Sequence, residues 1–315
     1  MSPNNKETRV LVLCGGVSSE REVSLESGRN IADALRKSKY DVDLLDCDRA
    51  FFENVPQLDC DIAFLAFHGE FGEDGYIQKI LEDRGLPFTG SGSKASALGM
   101  DKVASKKHFA AAGIQVPPGV VYNGRVNNLA SKGVDQLGYP LVVKPSRHGS
   151  SIGLSVAHDH EELLEGIQLA LKYDEIIVIE KFIRGMELTA GILENGVLPL
   201  IKVVPKHEVF DFACKYGDNL TSFEFDHGLT TKQVYAIERD ALKAYRSLGC
   251  SGIARVDIIR GADGKNYILE INTIPGMTTH SLIPMAALQK GISFANLCDR
   301  AVKMAIASQG RSKVA

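Results

Sequence analysis

Two carboxylates in this sequence lie where a β-hairpin would bring them face to face. Asp257 and Glu270 flank an Asp263-Gly264 dipeptide, and Asp-Gly between two alternating apolar runs is typical of a two-residue hairpin turn. Pairing outward from that turn sets Ala262 opposite Lys265. Because strand side chains alternate, this register then predicts two further pairs of residues on one face of the hairpin. These are Asp257 with Glu270, and Arg255 with Asn272.

A bound divalent cation would explain why two carboxylates face each other. Directly opposed like charges destabilise a ladder, and opposed β-carbons lie about 4.5 to 5.5 Å apart, close enough for one ion to bind both. Oxygens from Asp257, Glu270 and Asn272 suit a hard cation such as Mg²⁺ or Mn²⁺, and no His/Cys set indicates zinc. The alternative is a solvated hairpin face with a chance charge pair. The apolar run Tyr267–Leu269 and the following Pro275-Gly276 favour a buried metal site.

A glycine- and serine-rich loop is the first candidate for phosphate binding. Pro145–Gly153 joins the strand-like runs Leu141–Lys144 and Leu154–Val156, with its small residues at Gly149–Gly153. Small residues allow backbone N–H groups to approach an anion, and Lys144 adds a positive charge. The loop lacks the G-K-[ST] of a Walker A loop, and glycine content alone is weak evidence. A mobile surface hairpin is the alternative interpretation.

A polar pair ends what the sequence predicts to be a buried strand. The run Glu175–Ile179 is followed by Glu180-Lys181-Phe182-Ile183, with Glu187 just beyond. Backbone groups at this point could pair with an adenine edge while Glu187 reaches a ribose. Strand ends carry charges routinely, so a structural role stays open.

Three further segments lie where a ligand could bind. Glu20 precedes a helix that begins near Glu22, where it could cap the helix or accept a substrate ammonium. His68 follows the strand Ile62–Phe67, a position at which open α/β sheets bind ligands, although it could be a structural histidine. The irregular stretch Asp211–Gly228 is long enough to be a lid, with solvated disorder as the alternative.

The elements that position these residues change in type along the chain. The N-terminal part has the βαβ pattern of an open α/β domain, with a Gly15-Gly16 turn after the first strand. The third glycine of a dinucleotide fingerprint is absent, which argues against a Rossmann cofactor site. Ser91-Gly92 is the expected crossing into a second unit, which begins with a helix at Lys102–Ala112. From Pro140 onward, strands separated by turns indicate α+β units on antiparallel sheets.

Composition and charge exclude several classes of protein. The 315 residues exceed what one hydrophobic core usually supports, so two or three domains are expected. The net charge of -3 and the lack of a Lys/Arg cluster argue against nucleic-acid binding, and no long apolar stretch indicates a membrane span. The six cysteines show no C-x-x-C spacing, which favours a reducing cytoplasm.

The motifs together resemble those of the D-alanine–D-alanine ligase family over nearly the whole chain. The first half carries Gly15-Gly16-x-Ser18-x-Glu20-Arg21-Glu22-Val23-Ser24, His68-Gly-x-x-Gly72-Glu-Asp-Gly75, Gly90-Ser-Gly92 and Met100-Asp101-Lys102. The second half carries Lys144-Pro-Ser-Arg147, Gly149-Ser150-Ser151, Glu180-Lys181, Lys215-Tyr216, Arg255-x-Asp257, Leu269-Glu270-x-Asn272-Thr273 and Pro275-Gly276-Met277-Thr278-x-His280-Ser281-Leu282. The last of these motifs is far more specific than any glycine loop.

This resemblance implies a three-domain ATP-grasp fold with an N-terminal open α/β domain. The expected domains are residues 1–92 with the first D-alanine site, 93–184 as the central ATP-grasp subdomain, and 185–315 as the C-terminal subdomain with the metal site and lid. The implied reaction is ATP-dependent ligation of two D-alanine molecules through a D-alanyl phosphate, for peptidoglycan precursors, releasing ADP and phosphate. A cytoplasmic homodimer is a further family expectation.

By the same resemblance, residues of the two ATP-grasp subdomains would bind ATP and metal. The nucleotide contacts would be Lys102, Lys144, Ser151, Glu180, Lys181, Phe182, Ile183, Glu187, Phe210, Lys215 and Asn272. Two Mg²⁺ or Mn²⁺ ions would bind to Asp257, Glu270 and Asn272, in agreement with the hairpin register.

The resemblance also implies the roles of the substrate-binding and catalytic residues. D-alanine would contact Glu20, Val23, His68, Arg255, Gly276, Ser281 and Leu282. Arg255 and the Gly276 N–H would stabilise an oxyanion, while Glu20 would bind the first ammonium. Ser150 and Tyr216 would link to Glu20 and close two loops over the site, since acyl phosphates hydrolyse in water.

The chain departs from the family pattern at three places. His148 stands where an acidic residue is common, Tyr76 stands where Thr is common, and Ser222–Gly228 lacks the usual Cys-Pro-Ala. The last departure changes the lid and how it would present Tyr216. Tyr216 itself favours an amine acceptor over D-lactate, because family members that make the depsipeptide tend to carry histidine in that loop.

Two competing hypotheses share part of this pattern. Another ATP-grasp ligase would have the metal hairpin but would lack Glu20 and Ser281-Leu282, which match amino-acid recognition positions. A nucleotide-binding regulator without catalysis would not need the oxyanion donor Arg255. The sequence therefore favours the dipeptide ligase.

Overall fold

The computed structural model describes residues 8–124, 133–206 and 221–312, which form three β-sheets with helices packed on them. The first sheet is parallel, with strand order β2-β1-β3. Its elements are β1 (Arg9–Gly15), α1 (Arg21–Lys37), β2 (Asp41–Cys47), α2 (Arg49–Glu53), β3 (Ile62–Leu65) and α3 (Tyr76–Asp83). The predicted βαβ unit is confirmed, because a helix must cross over between parallel strands that pair with each other.

Two short helices lead from this unit into the rest of the chain. They are α4 (Ser93–Met100) and α5 (Lys102–Ala111). The sequence analysis did not predict α4, whose small residues lack a clear apolar periodicity. The Asp101 carboxylate caps α5 by accepting hydrogen bonds from the N–H groups of Val103 (2.9 Å) and Ala104 (3.0 Å). This cap fixes Lys102 as the first residue of α5.

The second sheet is antiparallel and has four strands in the order β4-β7-β5-β6. Its elements are β4 (Gly119–Asn123), α6 (Val134–Leu137), β5 (Leu141–Pro145), β6 (Ser155–Ala157), α7 (His160–Ala170) and β7 (Ile176–Lys181). One face of the sheet packs on α7, with Leu163 and Ile167 buried against Val143. The loop between β5 and β6 is the predicted glycine- and serine-rich segment.

The third sheet has six strands in the order β11-β10-β8-β12-β13, with β9 paired to β8. Its elements are β8 (Gly185–Leu193), β9 (Gly196–Val197), β10 (Ile201–Pro205), β11 (Thr221–Glu224), α8 (Thr231–Ser247), β12 (Ala254–Gly261), β13 (Asn266–Asn272), α9 (Leu282–Gln289) and α10 (Phe294–Ser312). Because Thr221–Glu224 is an edge strand, the prediction that Asp211–Gly228 is irregular throughout was wrong for these residues.

The hairpin of β12 and β13 forms, but its turn differs from the prediction by one residue. The Gly261 N–H bonds to the Lys265 carbonyl (2.8 Å), so the loop has three residues and Ala262 does not pair with Lys265. Gly264 has φ +79°, which suits a type I turn followed by a left-handed glycine. A bulge between Asp257 and Ile258 then takes up one residue.

The bulge restores the predicted pairing at the far end of the hairpin. Asp257 pairs with Glu270, and Arg255 pairs with Asn272. The sequence thus predicted both pairs correctly although it predicted the wrong turn, because the shift at the turn and the shift at the bulge cancel.

Helices connect the three sheets into one molecule. Helix α10 packs on α1 and β3 of the first unit, and Tyr40 donates a hydrogen bond to Asp299 (2.8 Å). Helix α5 packs against β13 and α8, with Phe109 buried in the core of the third sheet. No helix in the described parts of the chain has the length and apolar character needed to cross a membrane.

Candidate active site

Two cavities meet where the three sheets come together. The smaller one lies between the second and third sheets and is lined by Lys144, Ser151, Glu180, Lys181, Phe182, Ile183, Glu187 and Asp257, among others. The larger one, with a volume of about 690 Å³, reaches the first unit and is lined by Glu20, Val23, His68, Ser150, Arg255, Asn272, Gly276, Ser281 and Leu282, among others. The larger cavity contains the residues expected to bind amino acids, and the smaller one contains most of those expected to bind nucleotide. Asn272, expected to bind nucleotide and metal, lines the larger cavity and not the smaller one.

Lys102 and Glu270 line both cavities and so form the wall between them. The Lys102 ammonium lies 3.4 Å from a Glu270 carboxylate oxygen and donates to the His148 carbonyl at 2.7 Å. Lys102 is only 7% exposed, at the capped start of α5. A group passing from one cavity to the other would cross this pair of opposite charges.

Asp257 is held firmly at the edge of the smaller cavity. Its two carboxylate oxygens accept hydrogen bonds from the Arg255 guanidinium at 2.9 and 2.8 Å. The Thr189 hydroxyl, on the neighbouring strand β8, donates to the same carboxylate at 2.9 Å. The sequence analysis missed Thr189, because only the sheet pairing of β8 with β12 brings it opposite Asp257.

The residues expected to bind metal share one face of the hairpin and fit a hard cation. Asp257, Glu270 and Asn272 supply two carboxylates and an amide, all oxygen donors. The Asn272 amide oxygen accepts the Ile274 N–H at 2.9 Å, which fixes its orientation. Within the described residues no group of three or more His, Cys, Asp and Glu is arranged to hold a metal ion.

The smaller cavity is backed by a buried carboxylate that lies between two lysines. Glu180 contacts the Lys106 ammonium with one oxygen (2.5 Å) and the Lys144 ammonium with the other (2.9 Å). Burial raises the pKa of Glu180, but the two positive charges outweigh it and the net pKa is lowered. Burial likewise lowers the pKa of Lys144, but Glu180 and Glu270 raise it above its ordinary value.

Two of the backbone donors expected to meet an adenine edge are already used by the chain. The Lys181 N–H donates to the Pro118 carbonyl (2.8 Å), and the Phe182 N–H donates to the Pro140 carbonyl (3.0 Å). In this segment, the backbone groups left to pair with an adenine edge are therefore the carbonyl groups and the Ile183 N–H.

The loop between β5 and β6 contributes residues to the lining of both cavities. Ser150 and Ser151 have φ of 54° and 57°, in the left-handed region that side chains rarely adopt. Ser150 lines the larger cavity and Ser151 lines the smaller one. Arg147 anchors the start of the loop through a two-point contact with the buried Asp174 (3.2 and 2.9 Å).

Two buried acidic residues and a buried histidine line the larger cavity on the side of the first unit: Glu20, Glu73 and His68. Glu20 is 7% exposed and makes no capping hydrogen bond to α1, which removes the capping alternative. His68 lies 3.9 Å from Glu73, and its Nε2 has no hydrogen-bond partner among the described residues. Burial lowers the pKa of His68, but Glu73 and then Glu20 raise it, so the net pKa lies above its ordinary value.

The segment before α9 also lines the larger cavity. The Ser281 hydroxyl accepts the Thr278 N–H at 3.0 Å and contacts the Thr278 hydroxyl at 2.8 Å. A β-carbon on Gly276 would lie 2.8 Å from that Ser281 oxygen, so any side chain there would displace it. Leu282 follows as the first residue of α9 and is nearly buried.

Three predicted site residues lie outside the described part of the chain, and two departures from the family pattern, Tyr76 and His148, have defined positions. Phe210, Lys215 and Tyr216 fall between residues 207 and 220, which the structure does not describe. Tyr76 bonds through its hydroxyl to the Phe52 carbonyl (2.9 Å), away from both cavities. His148 does line the smaller cavity, and burial together with Lys102 lowers its pKa.

Family models match most of this chain. A model described as D-ala D-ala ligase N-terminus matches residues 9–59, and one described as D-ala D-ala ligase C-terminus matches residues 108–303. The second match alone covers more than half of the sequence.

Individual proteins are similar to this chain along nearly its whole length. The D-alanine–D-alanine ligase of Nitrosospira multiformis is 44% identical over 289 residues, which is 92% of this chain and 94% of the relative. That of Syntrophotalea carbinolica is 42% identical over 295 residues, or 94% and 95% of the two chains.

A solved structure extends the similarity to three dimensions. The crystal structure of D-alanine–D-alanine ligase from Bacillus anthracis complexed with ATP has a TM-score of 0.85 and 35% identity. The match covers 97% of this chain and 99% of that chain. The ATP-grasp fold predicted from the motifs is thereby confirmed.

Proposed function

The chain belongs to the D-alanine–D-alanine ligase family, and on that premise we propose how its residues join two D-alanine molecules with ATP. A carboxylate oxygen of the first D-alanine attacks the γ-phosphorus, ADP leaves, and D-alanyl phosphate forms. The amine nitrogen of the second D-alanine then attacks the carbonyl carbon and loses a proton, and phosphate leaves. The product is D-alanyl-D-alanine for peptidoglycan precursors.

The observation that carries this mechanism is the wall that two cavities share. Lys102 and Glu270 border the nucleotide side and the amino-acid side at once. A phosphoryl group moving from ATP to a carboxylate must cross such a boundary, and a positive charge there attracts both reactants. Lys102 therefore holds phosphate oxygens while Glu270 keeps its ammonium in place at 3.4 Å.

The nucleotide occupies the smaller cavity. Lys144 and Ser151 contact its phosphates, and the segment Glu180–Ile183 with Glu187 surrounds its adenosine. We assign Phe210 and Lys215 to the same nucleotide on the family resemblance alone, since both lie outside the described residues.

Asp257, Glu270 and Asn272 hold the divalent cation, Mg²⁺ or Mn²⁺, because they present three oxygen donors on one face of the hairpin. When bound, the cation offsets the charge of the phosphoryl group being transferred. The Arg255 guanidinium already donates two hydrogen bonds to the Asp257 carboxylate. These bonds fix the orientation of the carboxylate and offset its negative charge near the triphosphate.

Residues of the larger cavity bind both amino acids. Glu20 accepts the ammonium of the first D-alanine, and His68 and Val23 shape the pocket around it. Ser281 and the first turn of α9 at Leu282 hold the second carboxylate, which benefits from the positive end of the helix dipole.

Arg255 and the Gly276 N–H stabilise the oxyanion that forms when the amine attacks. The bonds from Arg255 to Asp257 orient the guanidinium, which carries five N–H donors in a fixed plane. Donors that are fixed before the reaction lower its barrier because they need no reorganisation. On the family resemblance alone, we assign to Ser150 and Tyr216 the role of closing the loops over this centre and excluding water; Tyr216 lies outside the described residues.

Domain boundaries at residues 1–92, 93–184 and 185–315 are part of the same proposal. They are supported by the sheets, since each range contains one complete sheet. We further propose a cytoplasmic homodimer, for which sedimentation should give about twice the chain mass of 34.2 kDa.

Phosphate release from ATP tests the proposed function directly. D-alanine, L-alanine and D-lactate are offered separately and in pairs, and dipeptide is measured alongside phosphate. We expect release and D-alanyl-D-alanine with D-alanine alone, and no depsipeptide preference when D-lactate is added at neutral pH. Equal turnover with L-alanine, or preferential incorporation of D-lactate, would contradict the proposal.

A further inference from the structure

A buried cluster of three charges lies behind the proposed nucleotide site. It consists of Lys106 on α5, Glu180 on β7 and Lys144 on β5, with the Glu180 carboxylate between the two ammonium groups. The three side chains are 11%, 3% and 9% exposed, respectively. The sequence analysis gave Lys106 no role.

Lys106 differs from its two partners in its access to the cavity. Glu180 and Lys144 line the smaller cavity, whereas Lys106 is absent from its lining and reaches Glu180 from the other side. The contact that links Lys106 to the cavity is its ion pair with Glu180.

The backbone leaves space for Glu180 to take this position. Gly119 on β4 pairs directly with Glu180, and a β-carbon on Gly119 would lie 2.9 Å from Glu180 Cγ. It would also lie 2.8 Å from the Ile179 carbonyl oxygen. A side chain at position 119 would therefore crowd Glu180, whose two carboxylate oxygens contact the two lysines.

The charges explain why one carboxylate needs two lysines. A buried carboxylate that loses its partner is strongly destabilised, because nothing then offsets its desolvation. Lys144 is the lysine that faces the cavity, so an incoming triphosphate competes with Glu180 for its ammonium. With Lys106 in place, Glu180 remains paired when Lys144 turns toward phosphate.

We propose that Lys106 is a positioning residue for ATP binding, which keeps Glu180 paired and thereby releases Lys144 to the triphosphate. The inference rests on the nucleotide site of the proposed function. It requires Lys106 to be charged when ATP binds.

The surroundings of Lys106 make that charge sensitive to mildly alkaline pH. Burial lowers the pKa of Lys106 to about 8. The Glu180 carboxylate opposes this shift, and the Lys144 ammonium adds to it. Glu270 on β13 is the remaining group that acts on it, and it raises the pKa. Above pH 8 Lys106 of the wild type would therefore lose its charge, and with it the ion pair with Glu180 that a Lys106 substitution also removes.

The test compares Lys106→Met with Lys107→Met, whose lysine is the next residue of α5 and is exposed. ATP affinity is measured by direct titration without D-alanine, and KM for ATP and for D-alanine by dipeptide formation. For Lys106→Met we expect ATP affinity to fall about tenfold, a loss of about 1.4 kcal/mol, with KM for D-alanine unchanged. Lys107→Met should bind ATP like the wild type, and Lys106→Arg should recover part of the loss.

A second background separates positioning from general damage to the fold. In Glu180→Gln, no buried carboxylate competes for Lys144, so adding Lys106→Met should cost less than about twofold in ATP affinity. An equal loss in both backgrounds would overturn the proposal, and so would tight ATP binding by Lys106→Met alone.

A pH series on the wild type avoids the risk that a variant fails to fold. KM for ATP should rise as pH passes 8 in the wild type and should stay flat in Lys106→Met; parallel profiles would overturn the inference. If the wild type made no dipeptide while Lys106→Met still weakened ATP binding, the proposed function would fail and this inference would stand. If the wild type made dipeptide normally while Lys106→Met bound ATP as tightly as the wild type, the proposed function would stand and this inference would fail.

Discussion

Arg255 illustrates how one side chain serves both the metal-binding face and the proposed oxyanion site. Its guanidinium forms a planar two-point contact with Asp257, a geometry that lysine cannot reproduce. The sequence predicted the proximity through strand alternation, since the two residues are two positions apart on β12. It did not predict the direct contact, which depends on the rotamer of Arg255.

We expect Arg255→Lys to lower kcat for dipeptide formation by roughly 100- to 1,000-fold, the usual cost of removing an oxyanion donor. ATP affinity should change little, because a positive charge stays beside Asp257. Steady-state kinetics check both values. Arg260→Lys is the matched control, since Arg260 lies on the same strand and bonds to Asn266 (2.9 Å); it should stay within about twofold. Equal losses in both variants would contradict the assignment.

His68 should respond to the loss of its acidic neighbour. In Glu73→Gln the neutral amide no longer favours the imidazolium, so the pKa of His68 should fall, as seen by NMR titration of the ring. Because the folded-state pKa is raised, the contact stabilises the fold at low pH and loses this effect as pH rises through the folded pKa. The stability difference between wild type and variant should therefore shrink with increasing pH. An unchanged His68 titration would contradict the stated cause of the shift.

At the scale of elements, periodicity and turn chemistry predicted most of the structure. The strands and long helices of the first unit follow from local patterns that the structure confirms. The change to antiparallel sheets comes before the predicted Pro140, because β4 (Gly119–Asn123) already belongs to the second sheet. The turn of the β12–β13 hairpin was wrong by one residue, because Asp-Gly also suits a three-residue loop with a left-handed glycine. Nothing local in the sequence predicts the compensating bulge.

Contacts between segments distant in the chain could not be predicted from the sequence. The Glu180 cluster joins α5, β5 and β7, so Lys106 becomes recognisable only when these elements pack together. The only sign of Lys106 in the sequence was its position four residues after Lys102, which places both lysines on the same face of a helix.

The loop between β5 and β6 should become more protected when nucleotide binds. Residues 149–153 contain two serines in strained backbone conformations and connect the two cavities, as expected of a segment that closes over ligands. Hydrogen exchange of this loop should slow on addition of ATP and Mg²⁺, while exchange in strand β1 serves as the unchanged control. Equal protection with and without nucleotide would count against closure.

At the scale of the whole molecule, helices tie the three sheets together. Helix α10, from the end of the chain, packs on the first unit, and α5 packs on the third sheet although it precedes the second in sequence. These packings bring residues from every part of the described chain to the two cavities. The proposed ligase needs this arrangement because nucleotide, first amino acid and second amino acid must meet at one point.

The central claim is that the wall formed by Lys102 and Glu270 is crossed by a phosphoryl group on its way to a D-alanine carboxylate. D-alanine labelled with heavy oxygen in its carboxylate tests this most directly, with mass analysis of the released phosphate. We expect one labelled oxygen in phosphate for each dipeptide formed, because the carboxylate oxygen that attacks phosphorus leaves with it. Dipeptide formation with unlabelled phosphate would contradict the acyl phosphate and the mechanism built on it.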